Sequence, residues 1–251
     1  PQRSVLRNSF VNAYNPLWFA GSKAEADMSH AFSSIFQDIW NLLILIHRVE
    51  WMRNQAFKDE NSRQLWRSYT AADIGMFHQE LRSIFDYASR IIAGLAEKPK
   101  QIPSDSFRKL AEWLDANPGN MKRLGPRLAE IVQTASWFRE IRAVRDGLIH
   151  HGALTAVFDS PEQGIFFQIY GFGARSYVSF KSVMCNENVA DFQLYCALSM
   201  ARLFDFLEDL GSEVKLLLKK GLPDGGTLES IGLDTLKLWA ERLAALLRGG
   251  Q

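Results

Sequence analysis

Two helical periods in immediate succession constrain this chain more than any other feature. Phe32, Ile35, Phe36, Ile39, Trp40, Leu42, Leu43, Ile46 and Val49 recur at spacings of three and four, which sets them along one face of a helix. Ser22 followed three positions later by Glu25 is the reciprocal capping-box pattern, so a helix is predicted from residue 24 to about Lys58. At 1.5 Å per residue it would be on the order of 50 Å long. Lys58-Asp59-Glu60-Asn61 is a polar turn. Leu65, Tyr69, Ile74, Phe77, Leu81, Ile84, Phe85, Ala88, Ile91, Ile92 and Leu95 then carry a second helix from Ser62 to about Lys98. Two helices of this length joined by so short a turn are expected to lie antiparallel.

The rest of the chain is read against that hairpin. The breaker Lys98 to Pro103 precedes a short helix from Ser104 to about Ala116, and Asn117-Pro118-Gly119-Asn120 makes another turn. Gly125-Pro126 opens a third long helix. Its line of Leu128, Ile131, Ala135, Phe138, Ile141, Val144 and Leu148 runs to His151, with Gly152 placed to end it. The period then changes. Leu154 to Phe158, Ile165 to Tyr170 and Tyr177 to Val183 are short β-branched and aromatic runs between turn-rich segments, which predicts a three-stranded antiparallel meander. A last long helix is expected from Asn188 to about Gly221, then a loop around Pro223 and a short amphipathic helix from Leu233 to Leu247.

The predicted fold class is therefore all-α: a helical bundle with two long antiparallel N-terminal helices and a small three-stranded β-meander insertion. Residues 1–23 are expected to form an irregular arm, 24–221 the bundle with its meander at 154–183, and 222–251 a linker and C-terminal helix.

Charge narrows the functional classes. Lys and Arg number 29 against 28 Asp and Glu, so any nucleic-acid binding must work through a local patch. Cys185 and Cys196 show no ligand spacing and are expected to be reduced thiols, with no metal and no cofactor implied. The most apolar run, Ile39 to Ile46, is far shorter than the roughly 20 residues a membrane helix needs, and the opening PQRSVLRNSF has no apolar core of a signal segment. A soluble, cytoplasmic protein is expected. Gly-x-Ser-x-Gly, His-Glu-x-x-His, a Walker loop and a dinucleotide fingerprint are all missing from the sequence.

One stretch concentrates chemistry. Trp137 to Gly152, WFREIRAVRDGLIHHG, holds Arg139, Arg142 and Arg145, the carboxylates Glu140 and Asp146, and the adjacent His150 and His151 at the end of a predicted helix. Histidine titrates near neutrality and guanidinium holds phosphate oxygens through a planar fork. RNA supplies its own nucleophile, so proton transfer and charge stabilisation suffice to cut it, with general acid–base help worth roughly 10²–10⁴-fold.

Arg145-Asp146-Gly147-Leu148-Ile149-His150 resembles the motif of the HEPN superfamily: arginine, a small polar residue, then histidine after four to six intervening positions. The resemblance implies a helical bundle, often dimeric, acting as a metal-independent ribonuclease. In it Arg145 would engage the scissile phosphate and His150 would move protons, and His151 also falls within the window; beside the resemblance, Arg142 could add a phosphate contact, and Glu140 or Asp146 could orient a histidine or equally form an ordinary helix-surface ion pair. Residues five apart are turned about 140° on an ideal helix, so Arg145 and His150 do not share a face. A common site would need the long arginine stem, an unwound helix end, or a second copy of the helix across a two-fold axis; the third agrees with the HEPN pattern, and a homodimer whose interface includes Pro126 to His151 is expected.

Two functions follow as expectations. The first is an RNA endonuclease, in toxin–antitoxin or antiviral defence, with a separate regulatory or antitoxin chain as a further partner. The alternative is an inactive HEPN-like dimerisation or scaffold module. A nuclease should expose Arg145 and His150 in a shared cleft, whereas a scaffold should pair them off or bury them apart.

Overall fold

The computed structural model describes residues 23–56, 60–150, 155–160, 164–169, 181 and 183–218. Two long helices open it, α1 (Lys23–Ala56) and α2 (Glu60–Leu95). A 3₁₀ turn at Pro99–Gln101 leads to α3 (Phe107–Ala116), α4 (Pro118–Leu124) and α5 (Pro126–Thr134). A second 3₁₀ turn, Ala135–Trp137, separates α5 from α6 (Phe138–His150). Strands β1 (Val157–Ser160), β2 (Gly164–Gln168) and β3 (Val189–Asp191) precede the last helix, α7 (Phe192–Leu218). The protein is mostly helical with one small antiparallel sheet, as the periodicity predicts. Among the described residues, no helix is long and apolar enough to cross a membrane.

The chain divides into two compact units. The described parts of Pro1–Ile35, Phe85–Ala135 and Ser199–Gln251 form the first. Its centre is an aromatic cluster in which Phe85 stacks on Phe206 at 4.8 Å and Phe107 meets both edge-on at 4.9 and 5.7 Å. Burial of Leu110, Leu114, Leu128, Ile131, Val132 and Leu210 extends that core. Polar contacts fix the short helices onto it. The backbone N–H of Phe107 donates to Asp86 Oδ1 at 3.0 Å, and Asn117 caps α4 by accepting from Gly119 N at 2.8 Å.

Phe36–Ile84 and Ser136–Leu198 form the second unit. Within it α1 and α2 run antiparallel. Asn41 Nδ2 donates to Glu80 Oε2 at 3.3 Å, and Arg48 grips Asp73 through both carboxylate oxygens, with Nε donating at 2.8 Å. The sheet has order β1-β2-β3, with Val157 opposite Phe167 and Phe167 opposite Ala190. Alternation buries Ile165 and Phe167, and Phe167 meets Tyr195 of α7 edge-on at 5.2 Å. Arg53 ties α1 to the sheet, donating to Asp159 Oδ1 at 2.7 Å and to the Ser160 carbonyl at 2.6 Å.

Two expectations change. The predicted continuous helix Pro126 to His151 is broken at Ala135–Trp137, where the backbone tightens into a 3₁₀ turn. Val189–Asp191, expected to belong to the start of the last helix, is a strand paired with β2, and the predicted run Tyr177 to Val183 lies mostly outside the described residues. Asp191 explains the later helix start, because its Oδ1 accepts the backbone N–H of Leu194 at 2.9 Å and caps α7. The predicted arm, the loop at Pro223 and the helix from Leu233 to Leu247 also lie outside the described residues.

Candidate functional site at the end of α6

The helix carrying the motif is anchored by its apolar side. Phe138, Ile141 and Val144 are buried, as is Gly147, so the polar side chains project from an element whose rotation is fixed. Arg142, Arg145 and Asp146 converge there. Asp146 bridges the two arginines with one oxygen each: Oδ1 accepts from Arg145 Nη1 at 2.8 Å, and Oδ2 faces Arg142 Nε at 3.3 Å. The Arg142 contact is the ordinary one-turn helix pair. Arg145 reaches its immediate neighbour only because its long stem folds back, since adjacent residues point about 100° apart.

These groups are neither sealed nor freely solvated. Side-chain exposure is 35% for Arg142, 21% for Arg145 and 30% for Asp146. Arg145 Nε is buried without a hydrogen-bond partner, a condition that costs about 1–3 kcal/mol. Two guanidinium groups share one carboxylate, so the cluster keeps one net positive charge, the complement of a single phosphodiester. Each carboxylate oxygen also retains a lone pair.

Helix α6 ends at His150, one turn beyond Asp146 and about 40° from it around the axis. The His150 side chain and the whole of His151 and Gly152 lie outside the described residues. Glu140, half-buried, sits about 120° around the helix from Asp146 and so does not share its side. The structure thus brings together Arg142, Arg145 and Asp146 of the predicted site residues. The i, i+4 spacing of Arg142 and Asp146 is the sequence signal for that pairing.

The other histidines are placed differently. His30 and His47 are exposed. His78 is fully buried, with Nδ1 donating to the Ile74 carbonyl and Nε2 accepting from the Tyr195 hydroxyl, each at 2.7 Å. Burial pushes its imidazole down to about 4, which keeps it neutral. Cys185 is exposed and Cys196 buried, both as free thiols, and burial pushes the Cys196 thiol up. Among the described residues, no group of three or more His, Cys, Asp and Glu side chains is arranged to hold a metal ion.

No protein-family model, curated protein or solved structure matches the chain. Fold and site together define a mostly helical protein with a small antiparallel sheet and an Arg-Asp-Arg cluster on the last turns of a core-anchored helix.

Proposed function

We propose that this chain is a metal-independent endoribonuclease of the HEPN type, acting in the cytoplasm in a defence or toxin–antitoxin role. The observation that carries the reading is the Arg142-Asp146-Arg145 cluster, held on one rigid helix one turn before His150. Arg145 would hold a non-bridging oxygen of the scissile phosphate, exchanging its contact with Asp146 for the ligand and giving its unpaired Nε an acceptor. Arg142 would stay on Asp146 and supply the second cation. Asp146 would then orient His150 through its remaining lone pairs.

The RNA 2′-hydroxyl attacks phosphorus and gives up its proton, while the 5′-oxygen leaves and takes one. His150 is the group suited to carry a proton in this exchange. The products end in a 2′,3′-cyclic phosphate and a 5′-hydroxyl. A second copy of the motif completes the site, and a regulatory chain restrains it.

The scaffold reading rests on one specific observation: Arg145 is already paired with Asp146 and only 21% of its side chain is exposed. Cleavage of mixed RNA in EDTA separates the two. Nuclease action predicts cyclic phosphate ends, no cutting of DNA, substantial failure of Arg145→Lys because ammonium lacks the guanidinium fork, and a milder loss in His151→Ala than in His150→Ala. RNA left intact by the wild-type protein assigns the chain to the scaffold class.

A further inference from the structure

Helix α1 carries three large apolar side chains in water, Trp40, Ile44 and Trp51, and α2 carries Leu65, Tyr69 and Met76. Each set has the spacing i, i+4, i+11, and on either helix all three fall within about 40° of one another, so each forms a stripe. Asn41 and Arg48 lie about 60–80° to one side of the α1 stripe, and Glu80 and Asp73 lie to the same side of the α2 stripe. These are the residues that bond to each other across the antiparallel pair. With the chain direction reversed in the second helix, that pairing turns both stripes onto one face of the hairpin.

From this we infer that the hairpin face of the second unit is the surface on which a second copy of this chain docks, hairpin against hairpin, as a four-helix contact. Area supports it. Trp40, Trp51 and Tyr69 are 45%, 55% and 56% exposed. With 150–250 Å² for a whole aromatic side chain, the six residues leave on the order of 600 Å² of apolar surface in water. That is the upper end of what a monomer shows. It also meets the need of a homodimer, which buries about 800 Å² per partner, roughly 65% of it apolar.

Charge points to the same occupant. Of the carboxylates in 36–84 whose exposure is described, Asp38, Glu50 and Glu80 are half-buried and Asp73 is buried. The strongest charge on the face, Arg48, is neutralised by the buried Asp73. The two stripes together span α1 levels 40 to 56, and Arg48 marks their centre. By contrast, Leu128, Ile131, Phe138, Ile141 and Val144 of the 126–150 stretch are buried within the chain, so these five offer no apolar surface to a partner. The inference takes up the homodimer of the reading above and holds whether or not RNA is cut.

Sedimentation of the full chain at micromolar concentration tests it, with Ile44→Glu and Tyr69→Glu as hairpin variants and Met121→Glu, an exposed apolar position on α4, as control. The expected result is a dimer for wild type and control, with dissociation at least tenfold weaker in both hairpin variants and unchanged helical circular dichroism. A wild-type monomer overturns the inference, and so does a dimer that both hairpin variants leave intact. If either glutamate variant loses helical signal, Ile44→Gln and Tyr69→Gln replace them with the same expected loss. RNA cleavage is scored separately: a hairpin dimer without cleavage overturns the nuclease reading alone.

Discussion

His78 and Tyr195 form a fully buried polar contact in the second unit, and their chemistry fixes what each substitution does. The Ile74 carbonyl can only accept, so His78 Nδ1 holds the proton and Nε2 must receive one from Tyr195. Tyr195→Phe keeps the ring and strands that nitrogen. We expect a loss of about 1–3 kcal/mol in urea unfolding, the cost of an unpaired buried acceptor. An unchanged midpoint would mean that the hydrogen bond is not formed. Asp38 is the opposite case. Burial, with Glu80 nearby, pushes its carboxyl from 3.8 up to about 7, and Oδ2 is buried without a partner. The folded protein therefore holds this proton more tightly than the unfolded chain does. Its favourable contribution is fully present below pH 3.8 and is lost as pH rises through about 7. Asp38→Asn should raise stability at pH 8 by about 1 kcal/mol after solvent screening, roughly 2–4 °C in melting temperature. The gain should vanish near pH 4, and a variant melting lower than wild type at pH 8 would contradict this account.

At the scale of elements, the boundaries are set by single residues. Gly125 joins α4 to α5 with φ +94°, a conformation that side-chain-bearing residues rarely adopt, and a Cβ there would meet nothing within 4 Å. The cost of Gly125→Ala is therefore conformational alone. It should lower stability by about 1–3 kcal/mol, read as a shifted thermal midpoint, and an unshifted midpoint would show that the linker accommodates alanine. This break was legible, since Gly-Pro at 125–126 marks a helix start. The break at Ala135–Trp137 was not. Its apolar residues keep helical spacing on both sides, and a tightened turn leaves that period nearly intact. The strand at Val189–Asp191 was not legible either, for a related reason. Three residues, Val189–Asp191, are too few to establish alternation, and the cap function of Asp191 shows itself only through its bond to Leu194 N. The long helices were the easiest to read, because a period repeated over 34 and 36 residues outweighs any local propensity.

For the whole molecule, the sequence indicated which residues cluster but not how they share charge. The spacing of Arg145 and His150 drew attention to the end of α6. The structure adds that Asp146 binds Arg142 and Arg145 at once, leaving one positive charge on a helix anchored by Phe138, Ile141 and Val144. On the nuclease reading the arginines of this cluster would clamp the phosphate and His150 would carry the proton, the two roles that RNA transesterification requires. The same pairing is what a purely structural ion network would contain, so activity decides between them. The most direct measurement is the single-turnover rate of RNA cleavage in EDTA for wild type and for the double substitution Arg145→Ala with His150→Ala, at matched melting temperatures. The nuclease account predicts cleavage by wild type and a loss of at least about 10³-fold in the double variant; cleavage that survives the double substitution at the wild-type rate would contradict it.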